Sequence, residues 1–123
     1  MPDLARVRAV EAGLPVSALR AMTADGAVTL ADLVGIVGSR RTLDRRLADG
    51  GRLSPDESDR LDRFAEVLAL AAHIFGDRRK AMDWLRTPKR RFEGARPLDL
   101  MKTHTGTRAV INFFRLAQHG MLA

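Results

Sequence analysis

The chain contains no cysteine, no tyrosine and only one tryptophan. Without cysteine, neither a disulfide framework nor a thiolate metal site is possible. No segment approaches the roughly 20 consecutive apolar residues that are needed to cross a membrane, and residues 1–12 lack the apolar core of a signal peptide. We therefore expect a soluble, cytoplasmic protein without contact to a membrane.

Lysine is also scarce in the first part of the chain, and the net charge of +6 is unevenly distributed. Residues 1–70 contain 10 Arg and no Lys against 11 acidic residues, which gives −1. Residues 71–123 contain 11 basic residues against 4 acidic residues, which gives +7. A nucleic-acid contact in the first part must therefore depend on a local basic patch rather than on the overall charge.

The residue pattern predicts an all-α fold. The β-branched residues are scattered, and no alternation of apolar and polar residues continues for more than a few positions. Apolar residues instead recur at helical spacing between glycine and proline stops. The predicted helices are residues 3–12, 15–25, 29–38, 40–49, 54–76, 77–87, 97–101 and 105–120.

Several helix starts carry capping signals. Ser39 and Asp77 are N-cap candidates because their side chains accept hydrogen bonds from the first turn. The segment Ser54-Pro55-Asp56-Glu57 combines an N-cap serine with a first-turn proline and a glutamate that completes a capping box. Pro15 is expected in the first turn of its helix, and Thr105-Gly106 is expected to begin the last one.

Residues 29–49 predict a helix-turn-helix: a helix that ends at Gly38 and a second short helix that Ser39 begins. Such a motif places its second helix in the major groove of DNA. Arginine forks match the paired acceptors of guanine, and a helix N-terminus binds phosphate. An ordinary solvated helix face is the alternative interpretation. The candidate DNA-binding residues are Ser39, Arg40, Arg41, Thr42 and Arg45.

No residue combination predicts an enzyme or a cofactor site. The three histidines, His73, His104 and His119, have no metal-ligand spacing and no carboxylate pair beside them. A phosphate-binding glycine loop and a serine–histidine–aspartate order are also lacking. Trp84 is expected to pack in the core, and the basic run of residues 89–92 is interpreted as a surface loop or as a contact for a partner.

The second part of the chain resembles the toxin-binding domain of the Xre/MbcA/ParS antitoxins, and the first part resembles the Xre-like helix-turn-helix of the same family. The resemblance covers roughly residues 13–120. In the first part it rests on Arg41-Thr42-Leu43, Arg46, Leu53 and residues 57–63. In the second part it rests on Ala72, Phe75-Gly76-Asp77, Ala81, Trp84-Leu85, Pro88, Gly94, Pro97-Leu98-Asp99-Leu100, Thr103, Gly106, Val110 and His119-Gly120.

This resemblance implies an Xre-like helix-turn-helix bundle over residues 1–70 and a small helical toxin-binding domain over residues 71–123. It implies a type II antitoxin that binds and blocks the active site of a RES-domain toxin, which consumes NAD or transfers ADP-ribose from it. It also implies autoregulation of the operon through operator DNA. A homodimer within a larger toxin–antitoxin complex is expected because one short recognition helix contacts too little DNA to be selective.

The expected toxin contacts lie toward the C-terminus, where the apolar tail fills part of the toxin site and arginines meet an acidic rim. For Gly106 and for the polar face of the last helix, an ordinary structural role is an equal alternative. Residues 89–93 are more basic and bulkier than the family pattern, which makes them candidates for partner choice. The candidate toxin-binding residues are Thr103, Gly106, Arg108, Asn112, Arg115, His119, Gly120, Met121 and Leu122.

The main alternative function is a stand-alone helix-turn-helix transcription regulator without a toxin partner. In that case the second part serves dimerisation, and the basic run of residues 89–91 contacts phosphates. Binding to a toxin distinguishes the two hypotheses.

Overall fold

A computed structural model of the chain describes residues 3–120, and this range is helical without a β-strand, as the sequence predicts. A first compact unit ends at Arg63 and a second begins at Phe64; they are called unit 1 and unit 2 below. The helices are α1 (Asp3–Ala12), α2 (Val16–Thr23), α3 (Leu30–Leu33), α4 (Arg40–Asp49), α5 (Pro55–Phe75), α6 (Arg78–Arg86), α7 (Pro97–Leu100) and α8 (His104–Gln118), with a 3₁₀ turn at Arg90–Phe92 between α6 and α7.

Three predicted N-caps are confirmed. The Ser39 hydroxyl accepts a hydrogen bond from the Thr42 amide at 3.1 Å, and the Asp77 carboxylate accepts one from the Lys80 amide at 2.7 Å. At the start of α5 the capping box is complete. There the Glu57 amide donates to Ser54 Oγ at 3.1 Å, and the Ser54 amide donates to Glu57 Oε1 at 2.8 Å. These contacts form over three residues, so the local sequence is sufficient to specify them.

The prediction of one helix over residues 29–38 is wrong in its length. Thr29 begins α3 with a capping box, but α3 ends at Leu33. Gly35 adopts a φ of +83°, which non-glycine residues rarely adopt, and its amide donates to the Gly38 carbonyl at 2.9 Å. The chain therefore turns after one helical turn, while Val37 is still fully buried.

Two further helix starts differ from the prediction by one or two positions. Pro15 lies at the N-cap of α2 in extended conformation, one residue before the first turn. The last helix begins at His104 because the Thr103 hydroxyl accepts a hydrogen bond from the Gly106 amide at 3.0 Å.

The core of unit 1 is aliphatic. Helix α4 contacts both α2 and α3, and the side chains of the three helices meet in a common interior. Polar side chains add links between distant segments: Arg6 Nε donates to both oxygens of Asp62, at 2.7 and 3.0 Å, and Arg52 donates to the Gly13 carbonyl at 2.8 Å. The buried apolar residues are Val16, Leu19, Ala27, Val28, Leu33, Ile36, Val37, Leu43, Leu53 and Leu61.

The core of unit 2 combines aliphatic residues with aromatic rings. Helix α7 contacts both α6 and α8, and the last part of α5 supplies buried residues to the same unit. Phe114 of α8 is fully buried, and its ring contacts those of Phe75, Trp84 and Phe113. The buried apolar residues are Phe64, Val67, Leu68, Ala71, Ala81, Met82, Leu85, Leu98, Met101, Val110 and Phe114.

Candidate functional surfaces

Helix α4 presents its N-terminus and an arginine-rich face to solvent, as the helix-turn-helix interpretation requires. Leu43 is fully buried and Leu47 half-buried, so these two residues define the inner face. Ser39 is exposed, and its hydroxyl donates a hydrogen bond to Thr42 Oγ1 at 2.9 Å. The structure thus gives Ser39 and the half-buried Thr42 a capping role at the start of the helix.

The three arginines of this face differ in their surroundings. Arg40 forms an i,i+4 ion pair with Asp44, with Nε 3.3 Å from Oδ1. Arg41 and Arg45 are exposed, and neither forms an ion pair or a side-chain hydrogen bond with any other residue in the range 3–120. Their guanidinium groups are therefore free to contact phosphate oxygens or base edges without first breaking an internal pair.

A buried carboxylate positions α4. Arg46, on the side of α4 away from Arg41, donates from Nε to Glu57 Oε1 at 3.0 Å, and the same oxygen accepts the Ser54 amide. The Glu57 side chain is only 10% exposed. At the other end of the helix, Arg20 Nη2 donates to the Leu47 carbonyl at 2.6 Å. These contacts link α4 to α5 and to α2, which restricts how α4 can tilt.

The surroundings of Glu57 have opposing effects on its pKa. Burial alone raises the pKa of Glu57, whereas the hydrogen bond from the Ser54 backbone and the ion pair with Arg46 lower it. The lowering prevails, so the pKa of Glu57 lies below its ordinary value. The carboxylate is therefore charged whenever α4 is held in this position near neutral pH.

In unit 2, the candidate toxin-binding residues of α8 form one polar face. Arg108, Asn112, Arg115 and His119 are all exposed, and their spacing of four, three and four residues places them along one side of the helix. Arg115 Nη2 lies 3.8 Å from Glu66 Oε1 of α5, a distance at the long end for an ion pair. Gly120 follows the helix with a φ of +66°.

Thr103 and Gly106 have structural roles at the start of α8. Thr103 is its N-cap, and the Thr107 hydroxyl donates to the Thr103 carbonyl at 2.8 Å. A Cβ atom on Gly106 would overlap the carbonyl oxygen of Leu100. The absence of a side chain at Gly106 therefore allows α8 to pack closely against α7 of the same chain. The candidates Met121 and Leu122 lie outside the described residues.

The structure also brings together an aromatic cluster that the sequence interpretation missed. Five rings are connected, those of Phe75, Trp84, Phe92, Phe113 and Phe114, with centroid distances between 5.0 and 6.2 Å. Of these, Phe114 alone is fully buried; the other four are half-buried. Trp84, which was expected in the core, therefore lies at the edge of the core. The feature of the sequence that could have indicated this cluster is that all aromatic residues lie in the second half of the chain.

Two cations lie on this cluster. Lys89 Nζ is 4.6 Å from the ring centroid of Trp84, and Arg91 Cζ is 5.3 Å from that of Phe113. Both distances are typical of cation–π interactions. Partial burial against the ring lowers the pKa of Lys89 from its ordinary value. Residues 89–92 are therefore packed on α6 and α8 rather than forming a detached loop.

Metal sites and membrane spans are both absent from the described part of the chain. Residues 3–120 contain no group of three or more histidine, aspartate or glutamate side chains arranged to hold a metal ion. Within the same range, every helix is too short or too polar to span a membrane.

Comparison with protein families divides the chain in the same order as the structure. Residues 5–66 match the model of the antitoxin Xre-like helix-turn-helix domain. Residues 70–114 match the model of the antitoxin Xre/MbcA/ParS C-terminal toxin-binding domain. The second match includes the aromatic cluster and ends before Arg115.

Three bacterial relatives, each named Antitoxin Xre, are similar to this chain. The Yersinia enterocolitica protein is 29% identical over 119 residues, which cover 95% of this chain and 80% of the relative. The Photorhabdus laumondii protein is 30% identical over 113 residues, or 90% and 76% of the two chains. The Pseudomonas putida protein is 44% identical over 70 residues, which cover 57% of this chain but less than half, 44%, of the relative.

The order of the two domains, the extent of the matches and the helical architecture agree with one another. The chain belongs to the Xre/MbcA/ParS antitoxin family.

Proposed function

We propose that this protein is the antitoxin of a type II toxin–antitoxin system. Residues 71–123 bind a RES-domain toxin that consumes NAD or transfers ADP-ribose, and they block its active site. Residues 1–70 bind operator DNA and autoregulate the operon. The most direct support is that residues 5–66 match a helix-turn-helix domain of antitoxins and residues 70–114 match a toxin-binding domain of antitoxins.

The DNA-binding part of the proposal rests on α4. Its exposed N-terminus and the unpaired side chains of Arg41 and Arg45 provide the donors that a phosphate backbone and guanine edges accept. One helix of ten residues contacts few base pairs. We therefore propose that a homodimer binds two half-sites, and that it does so in the cytoplasm as part of a larger complex with the toxin.

The toxin-binding part rests on the charge and the exposed surfaces of unit 2. The polar face of α8 contains Arg108 and Arg115, and the segment before α7 is more basic still. A cationic surface favours fast encounter with an acidic rim, and buried apolar contacts then slow dissociation. In this proposal the antitoxin has no catalytic role and needs no cofactor.

Co-expression with the RES-domain toxin from the same operon tests the proposal. We expect the chain to restore growth of cells that express the toxin, and the two proteins to elute together. Arg41→Gln/Arg45→Gln is expected to lower operator affinity at least about tenfold, since each good base contact contributes about 1–3 kcal/mol, and to leave growth rescue unchanged. Deletion of residues 119–123 is expected to impair rescue and to leave operator binding unchanged.

The outcomes separate the two candidate functions. If the chain binds an operator but neither rescues growth nor associates with the toxin, the stand-alone regulator hypothesis is correct. If both variants impair both functions equally, the division of roles between the two parts of the chain is wrong.

A further inference from the structure

One surface of unit 2 joins the basic segment before α7 to half-buried aromatic rings. It consists of Trp84, Phe92 and Phe113 together with Lys89 and Arg91, and we call it the aromatic–basic surface. Trp84 stacks on Phe113 with centroids 5.2 Å apart, and Phe92 and Phe113 form a T-shaped pair with centroids 5.8 Å apart. All three residues are half-buried, so each exposes part of its surface to solvent.

The cations of this surface have no acidic partner in the described chain. Lys89, Arg90 and Arg91 are consecutive, and none of them forms an ion pair with a carboxylate within residues 3–120. The neighbouring arginines of α6 and α7 differ in this respect: Arg86 pairs with Asp83 at 3.8 Å, and Arg96 pairs with Asp99 at 2.8 Å. The segment before α7 therefore contains three uncompensated positive charges, two of which lie on aromatic rings.

The geometry of the rings favours an acidic protein segment over a nucleic acid. Single-stranded nucleic acid binds aromatic platforms by stacking bases on free ring faces. Here Trp84 is surrounded by the rings of Phe75, Phe113 and Phe114 and by the Lys89 ammonium group, and Phe113 carries the Arg91 guanidinium group. The edges of aromatic rings carry positive partial charge, which attracts carboxylate oxygens as the cations do.

The surface continues along one side of α8 as an exposed apolar strip. Ala109 and Leu116 lie four residues before and three residues after Phe113, which places them on the same side of the helix. Leu116 is 39% exposed, a large value for a leucine in a folded chain. The polar face of Arg108, Asn112 and Arg115 occupies a neighbouring side of α8, so the two surfaces can be altered separately.

We propose that the toxin docks on the aromatic–basic surface through an acidic segment, whose carboxylates pair with Lys89 and Arg91 and whose apolar side chains cover the ring edges and Leu116. This inference rests on the proposed function, because it identifies the occupant as the toxin. The family match to a toxin-binding domain covers residues 70–114, which include all five residues of the surface, together with Arg108 and Asn112 of the polar face of α8.

Two matched double variants of the full chain test this assignment by isothermal titration with the purified RES-domain toxin of the same operon. Lys89→Gln/Arg91→Gln and Arg108→Gln/Arg115→Gln each remove two positive charges from unit 2. We expect the first pair to weaken toxin binding at least about tenfold, since contacts between paired charges at an interface contribute at least that much. The second pair lies on the α8 face that the proposed function also assigns to the toxin, and it is expected to weaken binding by a clearly smaller factor than the first pair.

A charge-conserving pair, Lys89→Arg/Arg91→Lys, separates binding from folding. It should bind the toxin within about threefold of the wild type, and thermal unfolding followed by circular dichroism should show that all three double variants are folded at the temperature of the titration. Retained affinity in Lys89→Gln/Arg91→Gln, or equal weakening by both glutamine pairs, overturns the assignment to this surface while the antitoxin function stands. If the wild type does not bind the toxin at all, the proposed function fails, and the inference fails with it.

The fluorescence of Trp84, the single tryptophan, distinguishes the two kinds of polyanion directly. Poly-L-glutamate and a single-stranded oligothymidylate contain no tryptophan, so any change in emission comes from the antitoxin. We expect poly-L-glutamate to alter the emission of the wild type and not that of Lys89→Gln/Arg91→Gln. A response to oligothymidylate alone, lost in the same variant, would assign the surface to nucleic acid and overturn the proposal.

Discussion

The residues up to Arg63 contain no aromatic side chain and no lysine, whereas all six aromatic residues and all three lysines follow that point. Unit 1 therefore combines an aliphatic core with directed polar links, such as Arg6 to Asp62 and Arg46 to Glu57. Unit 2 instead has connected rings with cations on them. Both units are helical, but the first depends more on hydrogen-bond geometry and the second more on the packing of large apolar surfaces.

This difference bears on how each unit meets its proposed partner. In unit 1 the buried Glu57 carboxylate contacts Arg46 and so positions a helix whose outer arginines, Arg41 and Arg45, are unpaired within residues 3–120. In unit 2 the unpaired cations Lys89 and Arg91 lie directly on the aromatic packing. A directional, polar surface suits the reading of DNA, and an apolar surface with a cationic rim suits a protein interface.

The largest effect is expected from removing the central ring of unit 2. Phe114→Ala removes a fully buried ring in contact with three others, and such substitutions typically cost about 3–5 kcal/mol of unfolding free energy. Denaturant unfolding followed by Trp84 emission measures it, since the Trp84 ring lies 5.0 Å from that of Phe114. Leu43→Ala is the aliphatic counterpart in unit 1, and it is expected to lower the unfolding free energy by about 2–5 kcal/mol. A cost below about 1 kcal/mol for Phe114→Ala would contradict the central place of the ring cluster.

A smaller effect is expected from a single added methyl group. Alanine normally stabilises a helix relative to glycine by about 1 kcal/mol. At Gly106 the added Cβ atom overlaps the Leu100 carbonyl oxygen, so Gly106→Ala is expected to destabilise unit 2 by about 1–3 kcal/mol. Gly38→Ala in unit 1 is the control, because its Cβ atom would have ordinary contacts of 3.6 to 3.8 Å. Urea unfolding of both variants tests this, and a stabilised Gly106→Ala would disprove the close approach of α7 and α8.

The smallest effect concerns the ion pair of unit 1 and its dependence on pH. Glu57→Gln keeps an acceptor for the Ser54 amide but removes the charge that Arg46 contacts, which is expected to cost about 1–2 kcal/mol at neutral pH. The pKa of Glu57 is lowered in the folded state, so its contribution is complete above its ordinary value of 4.5 and is lost as the pH falls through the folded-state pKa. The stability difference between wild type and variant should therefore shrink on acidification below 4.5.

Urea unfolding at a series of pH values measures this difference. Arg40→Gln is the matched control on the same helix: its pair with Asp44 is more than half exposed on both sides and is expected to contribute less than about 0.5 kcal/mol. A difference between wild type and Glu57→Gln that stayed constant with pH would show that the charge of Glu57 has no part in holding α4.

The candidate sites could be predicted from the sequence to different extents. The exposed face of α4 was predicted well, because the buried Leu43 and the cap at Ser39 determine which arginines point outward. On α8 the spacing of Arg108, Asn112 and Arg115 predicted their common face, and their contact with a toxin stays a prediction. The position of Lys89 and Arg91 on the rings could not be predicted, because it depends on the packing of a 3₁₀ turn against two helices distant in sequence.

The sequence by itself determined the all-α fold class and most of the helix starts. A cap such as Ser54 with Glu57 acts across three residues, so the energies that specify it are contained in a short segment. Only the tertiary structure decided where α3 ends, what Gly106 approaches and which cations lie on aromatic rings. Those features depend on atoms that are distant along the chain and come together only when the helices pack, and the packing of each helix depends on that of its neighbours.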